Sequence, residues 1–233
     1  MSANYKIVSI EGNIGSGKST LLEYLRAYYA GNEHIIFLRE PVDEWVKIQD
    51  TNGNTMLRKF YEDQEKYSFA FQMMAYISRL KILRDAVKEI ERKSKFTPLS
   101  NQPYIIITER SLYTDRHVFV RMLQEQGKLE DVCCQIYMNW FEEFANDFPI
   151  NYSVYVKTDP QKCHERIHKR SRDGEEGIPL SYLQDCHYYH EDFLDESKGI
   201  VTHKLVLNGN LDIYDNDSVM EEWLETIHSF IGF

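Results

Sequence analysis

The chain has 233 residues, 27 basic and 37 acidic side chains for a formal net charge of −10, and 42% hydrophobic residues. That length supports one good core with a small lid rather than two full domains, so residues 1–233 are expected to form a single domain. The acidic balance disfavours a general nucleic-acid surface, and no run approaches the ~20 apolar residues of a membrane span. The four cysteines, Cys133, Cys134, Cys163 and Cys186, show neither metal spacing nor a disulfide framework. The chain enters its first strand almost at once, which leaves no room for a leader peptide. A reducing, cytoplasmic setting is therefore expected.

Five short apolar runs, 6–10, 35–38, 104–108, 153–156 and 205–207, read as buried parallel strands separated by helical stretches, the alternation of an α/β fold. The first runs directly into Gly12, Asn13, Ile14, Gly15, Ser16, Gly17, Lys18 and Ser19, with a helix from Thr20 following. This fits G-x-x-x-x-G-K-[ST], placed between strand and helix as a phosphate-binding loop requires. Glycines let backbone N–H groups converge on phosphate oxygens, Lys18 reaches the terminal phosphates, and Ser19 holds Mg²⁺. Long helical regions are expected at about 55–93 and 114–146. A closing helix at 218–230 carries the stripe Val219, Trp223, Ile227 and Phe230. The polar stretch 94–103 reads as a loop, and the charged, glycine-bounded stretch 172–177 as a mobile lid.

Carboxylates and cations fall at strand ends, where α/β proteins place their ligands. Glu40 follows the second strand and suits a general base toward an attacking hydroxyl. Glu109 and Arg110 follow the third: phosphoryl transfer needs charge neutralisation, Glu109 suits Mg²⁺, and Arg110 suits the attacking and leaving oxygens. Asp159-Pro160 reads as an N-cap and first helical residue. Beyond them Arg166 and Arg170 share a helix face and Arg172 stands at its end, a lid suited to nucleotide phosphates. His164 and His168 also share a face but lack a third ligand, so they read as plain helix surface. Leu57, Tyr61, Ser68, Gln72, Ala75 and Arg79 form one stripe flanked by Phe71. Such a stripe usually means core, but burying Gln72 and Arg79 unpaired is costly, so a ligand pocket is the other reading.

Together these residues resemble the deoxynucleoside kinase family. The resemblance spans nearly the whole chain: Ile10-Glu11-Gly12-Asn13-Ile14, Glu40-Pro41-Val42 with Trp45, and Tyr67-Ser68-Phe69-Ala70-Phe71-Gln72. It continues through Glu109-Arg110-Ser111-Leu112-Tyr113-Thr114-Asp115-Arg116, and Arg170-Ser171-Arg172 before Gly177-Ile178-Pro179-Leu180-Ser181-Tyr182-Leu183. It implies a phosphate-loop kinase with a five-stranded parallel sheet, flanking helices and a short arginine lid at about 166–177. It implies ATP as donor, Mg²⁺ as cofactor and a homodimer. Glu40 is implied as the base at the sugar 5′-hydroxyl with Arg110 beside it, Tyr61 and Glu175 as readers of the 3′-hydroxyl, and Gln72 as reader of the base edge. Phe71 and Phe119 are implied as walls around the base, Trp45, Leu57 and Phe60 as further wall, and Arg166, Arg170 and Arg172 as lid arginines.

Arg79 and Asp115 match positions where kinases of deoxycytidine and deoxypurines carry Arg and Asp. Arg donates to a ring nitrogen while Asp accepts from an exocyclic amino group. Thymine presents a carbonyl there instead, so thymidine is expected to be rejected. Near the last strand Asp212 fits the family's acidic cluster beside the donor base, whereas Leu211 and Ile213 depart from its aromatic character. Gly15-Ser16 stands where some relatives carry alanines, a difference expected to be harmless. A thymidylate-like monophosphate kinase is the near alternative through Arg39-Glu40-Pro41, but the Gly-Gly-Thr turn expected after Pro41 is absent. A GTPase reading rests on Asp50-Thr51-Asn52-Gly53 alone, with no N-K-x-D motif anywhere.

Overall fold

The computed structural model describes residues 4–96, 102–170, 172, 174–175, 177–211, 213 and 217–232. Strands β1 (Tyr5–Glu11), β2 (Ile35–Leu38), β3 (Tyr104–Glu109), β4 (Tyr152–Lys157) and β5 (Lys204–Asn208) coincide with the five apolar runs to within a residue at each end. They pair in parallel in the order β2-β3-β1-β4-β5. The helices are α1 (Lys18–Tyr28), α2 (Val42–Trp45), α3 (Met56–Glu62), α4 (Gln64–Phe96) and α5 (Leu112–Thr114). They continue with α6 (Arg121–Glu125), α7 (Asp131–Phe144), α8 (Pro160–Arg170), α9 (Leu180–Phe193) and α10 (Asp217–Ile231).

Side chains alternate across each strand, so the sheet carries a core on both faces. Val8, Ile10, Ile105 and Ile107 pack with Leu21, Leu22 and Leu25 of α1 and with Trp223 and Ile227 of α10. Ile7 and Ile106 face α4 and α7 on the other side, and Tyr155 meets α9 there. The three α1 leucines are fully buried, each contributing about 1.5–3 kcal/mol of transfer free energy. None of the described helices is long and apolar enough to cross a membrane.

The helical region expected over 55–93 is two helices. Thr55 caps α3 by accepting from Arg58 N–H at 3.2 Å. Asp63 leaves the helical conformation and its carboxylate accepts from Lys66 N–H at 3.1 Å. A short acidic side chain thus ends one helix and caps the next, which spacing alone does not reveal. The region expected over 114–146 is also segmented. A wider π-helical turn, Asp115–Val120, joins α5 to α6, and Gly127 at φ 70° turns the chain toward α7. Helix α9 has no counterpart among the helices expected from the sequence. Its buried Leu183, Cys186, Tyr189, His190 and Phe193 form a helical stripe visible in retrospect, masked in the sequence by the polar and histidine residues between them.

Candidate active site

The C-terminal ends of β1, β2 and β3 open into one cavity of about 840 Å³. Its floor is the loop between β1 and α1. Gly12, Gly15 and Gly17 sit at φ 145°, 76° and 104°, and Gly17 is the N-cap of α1. This turns loop amides and the helix N-terminus toward the cavity, a geometry that attracts phosphate oxygens. Residues from Ile14 to Thr20 line the cavity, while Gly12 and Asn13 stand behind it. The Asn13 amide donates to Leu183 O at 2.8 Å and its side-chain oxygen accepts from Ile14 N–H at 2.8 Å. Asn13 therefore fastens the loop to α9.

Gly15 is closely packed against α8. A Cβ there would meet Cys163 O at 2.6 Å and Ile167 Cγ1 at 3.0 Å. Helix α8 lies so close to the loop that an alanine is not harmless in this chain.

Lys18 is buried and its ammonium donates to Asn13 O at 2.6 Å. Burial and the neighbouring Arg110 pull its pKa down to about 7, against Glu109 and Glu40. Across the cavity Glu40 points inward. Arg110 Nη1 lies 3.2 and 3.3 Å from its two oxygens, and Arg79 Nη2 is 3.0 Å away. Burial alone would raise this carboxyl, but Arg110, Arg79 and Lys18 hold it at about 2. The preceding Arg39 turns outward and pairs with Glu23 at the surface.

Arg79 is the hub of the cavity beyond Glu40. Its Nε donates to Asp115 Oδ2 at 3.0 Å, its Nη1 to Glu109 O at 2.6 Å and its Nη2 to Glu40. Asp115 and Glu40 hold the guanidinium charged against the cost of its burial. The anticipated expense of burying Arg79 is therefore met within the protein. Gln72 is also buried and lines the cavity, and its side chain makes no hydrogen bond among the described residues. Trp45, Leu57, Phe60, Tyr61, Phe71, Phe119 and Glu175 complete this side. Phe60 and Phe71 stack at 4.4 Å, and Phe119 lies over the Arg110 guanidinium at 5.2 Å. Burial and the nearby Glu175 push the Tyr61 phenol well up, keeping it a donor.

The side of the cavity beside α8 is cationic, meeting the aromatic side at Glu175. Arg166 donates to Ser16 O at 3.2 Å and reaches Leu211 O at 3.5 Å. Arg170 and Arg172 both pair with Glu175, the latter at 3.2 Å. Lys162, Lys169, Gly209, Leu211, Ile213 and Trp223 also line this side. Leu211 and Ile213 belong to the turn expected beside a donor base, whereas Lys162, Lys169 and Trp223 reach the cavity only because α8 and α10 converge on that turn. Asp212 lies outside the described residues. His164 and His168 touch each other on the exposed face of α8, and no cluster of three or more potential metal ligands occurs among the described residues. Ser19 Oγ and Glu109 Oε1 are 2.5 Å apart. They form a hydroxyl–carboxylate pair of hard oxygens beside the phosphate loop, a donor set that fits Mg²⁺ completed by phosphate oxygens and water.

A phosphate loop on a parallel sheet, a carboxylate facing its lysine, and a half-apolar chamber beyond define a phosphate-loop kinase of a small acceptor. The chain matches the deoxynucleoside kinase family over residues 8–232. It belongs to that family of ATP-dependent phosphotransferases. Among curated relatives it is 33% identical to deoxycytidine kinase 2 of Gallus gallus, covering 96% of this chain and 89% of the relative. It is 29% identical to the mitochondrial deoxyguanosine kinase of Xenopus laevis, covering 97% and 90%. It is 32% identical to a probable deoxycytidine kinase of fowlpox virus, covering 98% and 89%.

Proposed function

We propose that this kinase transfers the γ-phosphoryl group of Mg-ATP to the 5′-hydroxyl of a deoxynucleoside, with deoxycytidine or deoxypurine nucleosides preferred over thymidine. The observation that carries the reading is the inward Glu40 carboxylate facing Lys18 across one continuous cavity. The donor triphosphate lies on the loop amides, with Lys18 at its terminal phosphates and Arg166, Arg170 and Arg172 closing over it. Ser19 and Glu109 hold Mg²⁺, which supplies charge neutralisation on the phosphates. The sugar lies between Glu40 and the Tyr61–Glu175 pair, and the base between Phe71 and Phe119 with its edge toward Gln72. Glu40 accepts the hydroxyl proton as the oxygen attacks, and Arg110 stabilises charge developing on the transferred group.

Base preference rests on the Arg79–Asp115 pair. A buried carboxylate facing the exocyclic position accepts from an amino group and meets thymine's carbonyl without a proton between them. The exposed apolar residues Ile77 on α4 and Val132, Ile136 and Trp140 on α7 support a homodimer packed through these helices. Four free cysteines agree with a reducing, cytoplasmic site of action in nucleotide salvage.

The test is ATP consumption with each of the four deoxynucleosides and their monophosphates. Turnover of deoxycytidine or a deoxypurine nucleoside, with slow turnover of thymidine, is expected. Consumption of monophosphates alone would assign the cavity to a monophosphate kinase instead.

A further inference from the structure

Arg110 has a positive φ of 62°, the sole non-glycine case among the described residues. An arginine in the left-handed region costs on the order of 1 kcal/mol or more and persists only where its surroundings over-determine it. Three successive residues of β1 and the loop surround it. Arg110 N–H donates to Ile10 O at 3.0 Å, and its Nη2 donates to Gly12 O at 3.3 Å. Between them lies Glu11, wholly buried and absent from the cavity wall.

The Glu11 carboxyl is answered by two hydroxyls. Ser9 Oγ donates to it, and Thr114 Oγ1 lies 2.7 Å from both of its oxygens. The same Thr114 oxygen accepts from Ser111 N–H at 3.1 Å, while Ser111 Oγ accepts from Thr114 N–H at 3.1 Å. This reciprocal capping box begins at the residue directly after Arg110. With its proton directed to Glu11, the threonine oxygen is left as the acceptor that the Ser111 amide requires.

We propose that Glu11, acting through the Thr114 hydroxyl, is a positioning residue for Arg110. It locks the turn after β3 so that the left-handed arginine directs its guanidinium at Glu40 and the phosphate loop. A carboxyl on the strand that carries the phosphate loop thereby sets the cation supplied by the neighbouring strand. The inference rests on the role given to Arg110 under the proposed function.

The test compares Thr114→Val, which keeps shape and removes the hydroxyl, Thr114→Ser, which restores it, and Glu11→Gln. Each is made in the parent and in an Arg110→Ala background. In the parent, Thr114→Val and Glu11→Gln are expected to lower kcat roughly 10- to 100-fold with the KM for nucleoside changed less than about threefold. Thr114→Ser is expected to stay within about threefold of the parent kcat. In the Arg110→Ala background, Thr114→Val and Glu11→Gln should cost less than about twofold further, since the group they position is gone. A kcat within about twofold of the parent for both variants overturns the proposal, as does a full additional loss in the Arg110→Ala background. If Thr114→Val does not fold, Glu11→Gln decides alone by the same criteria. If Arg110→Ala itself leaves kcat intact, the catalytic reading of Arg110 fails first and the positioning role falls with it.

Discussion

Arg79 and Asp115 form a charge pair at 3.0 Å, and both side chains are almost wholly buried. Removing Asp115 leaves Arg79 with Glu40 and Glu109 O but takes away its more buried counter-charge, so the loss falls below the roughly 3–5 kcal/mol of a buried charge left wholly unpaired. Asp115→Ala is accordingly expected to lower the unfolding midpoint clearly, whereas replacing both by small apolar residues should recover much of that loss. The double variant should also raise the kcat/KM for thymidine relative to deoxycytidine by roughly tenfold or more. An unchanged nucleoside preference would remove Arg79 and Asp115 from base selection.

Lys18 titrates at about 7 in the ligand-free protein, well below a free lysine. Between pH 7 and the ordinary lysine range, the unfolded chain binds a proton that the folded chain lacks. This group's contribution to stability therefore rises with pH across that window. A bound triphosphate favours the ammonium form, so ATP binding at pH 8 should take up close to one proton, falling toward none at pH 6. Calorimetry in buffers of different ionisation enthalpy reads this directly; equal uptake at the two pH values would contradict a depressed Lys18.

Glu40 acts in the same sense at lower pH. Its carboxyl is held at about 2 by Arg110, Arg79 and Lys18 despite burial. The stability it contributes is present above about pH 4.5 and fades as pH falls toward 2. In the free enzyme, kcat/KM should show no acid limb from this group between pH 5 and 7. An inflection near pH 6 that disappears in Glu40→Gln would show the carboxyl to be far less stabilised than its partners imply.

Gly15→Ala places a methyl 2.6 Å from Cys163 O at a φ of 76°. The strain is expected to cost about 1 kcal/mol or more and to shift α8 away from the loop, raising the KM for ATP several-fold with a smaller effect on the nucleoside. A variant with parental stability and ATP affinity would mean that α8 yields freely.

The strands were legible because each is a short apolar run, the central β1, β3 and β4 being buried on both faces, and the phosphate loop because its glycine and lysine spacing has few other uses. Glu40, Glu109 and Arg110 were legible as charged residues placed directly after apolar strands. What stayed hidden depends on partners distant in sequence. That Arg79 is spent on Asp115, Glu40 and Glu109 O needs α4 docked against β3. The break at Asp63 turns on one side-chain cap. Lys162 and Trp223, which line the cavity from α8 and α10, come from separate elements and share no spacing. Gly15 seemed interchangeable because the nearness of α8 is a packing fact.

The most direct measurement is a single-turnover comparison of Glu40→Gln with the parent, alongside nucleoside affinity measured without ATP. With Glu40 as the proton acceptor, phosphoryl transfer should slow by about 10²–10⁴-fold while nucleoside affinity changes only a few-fold. Transfer at near-parental rate in a correctly folded Glu40→Gln protein would contradict it.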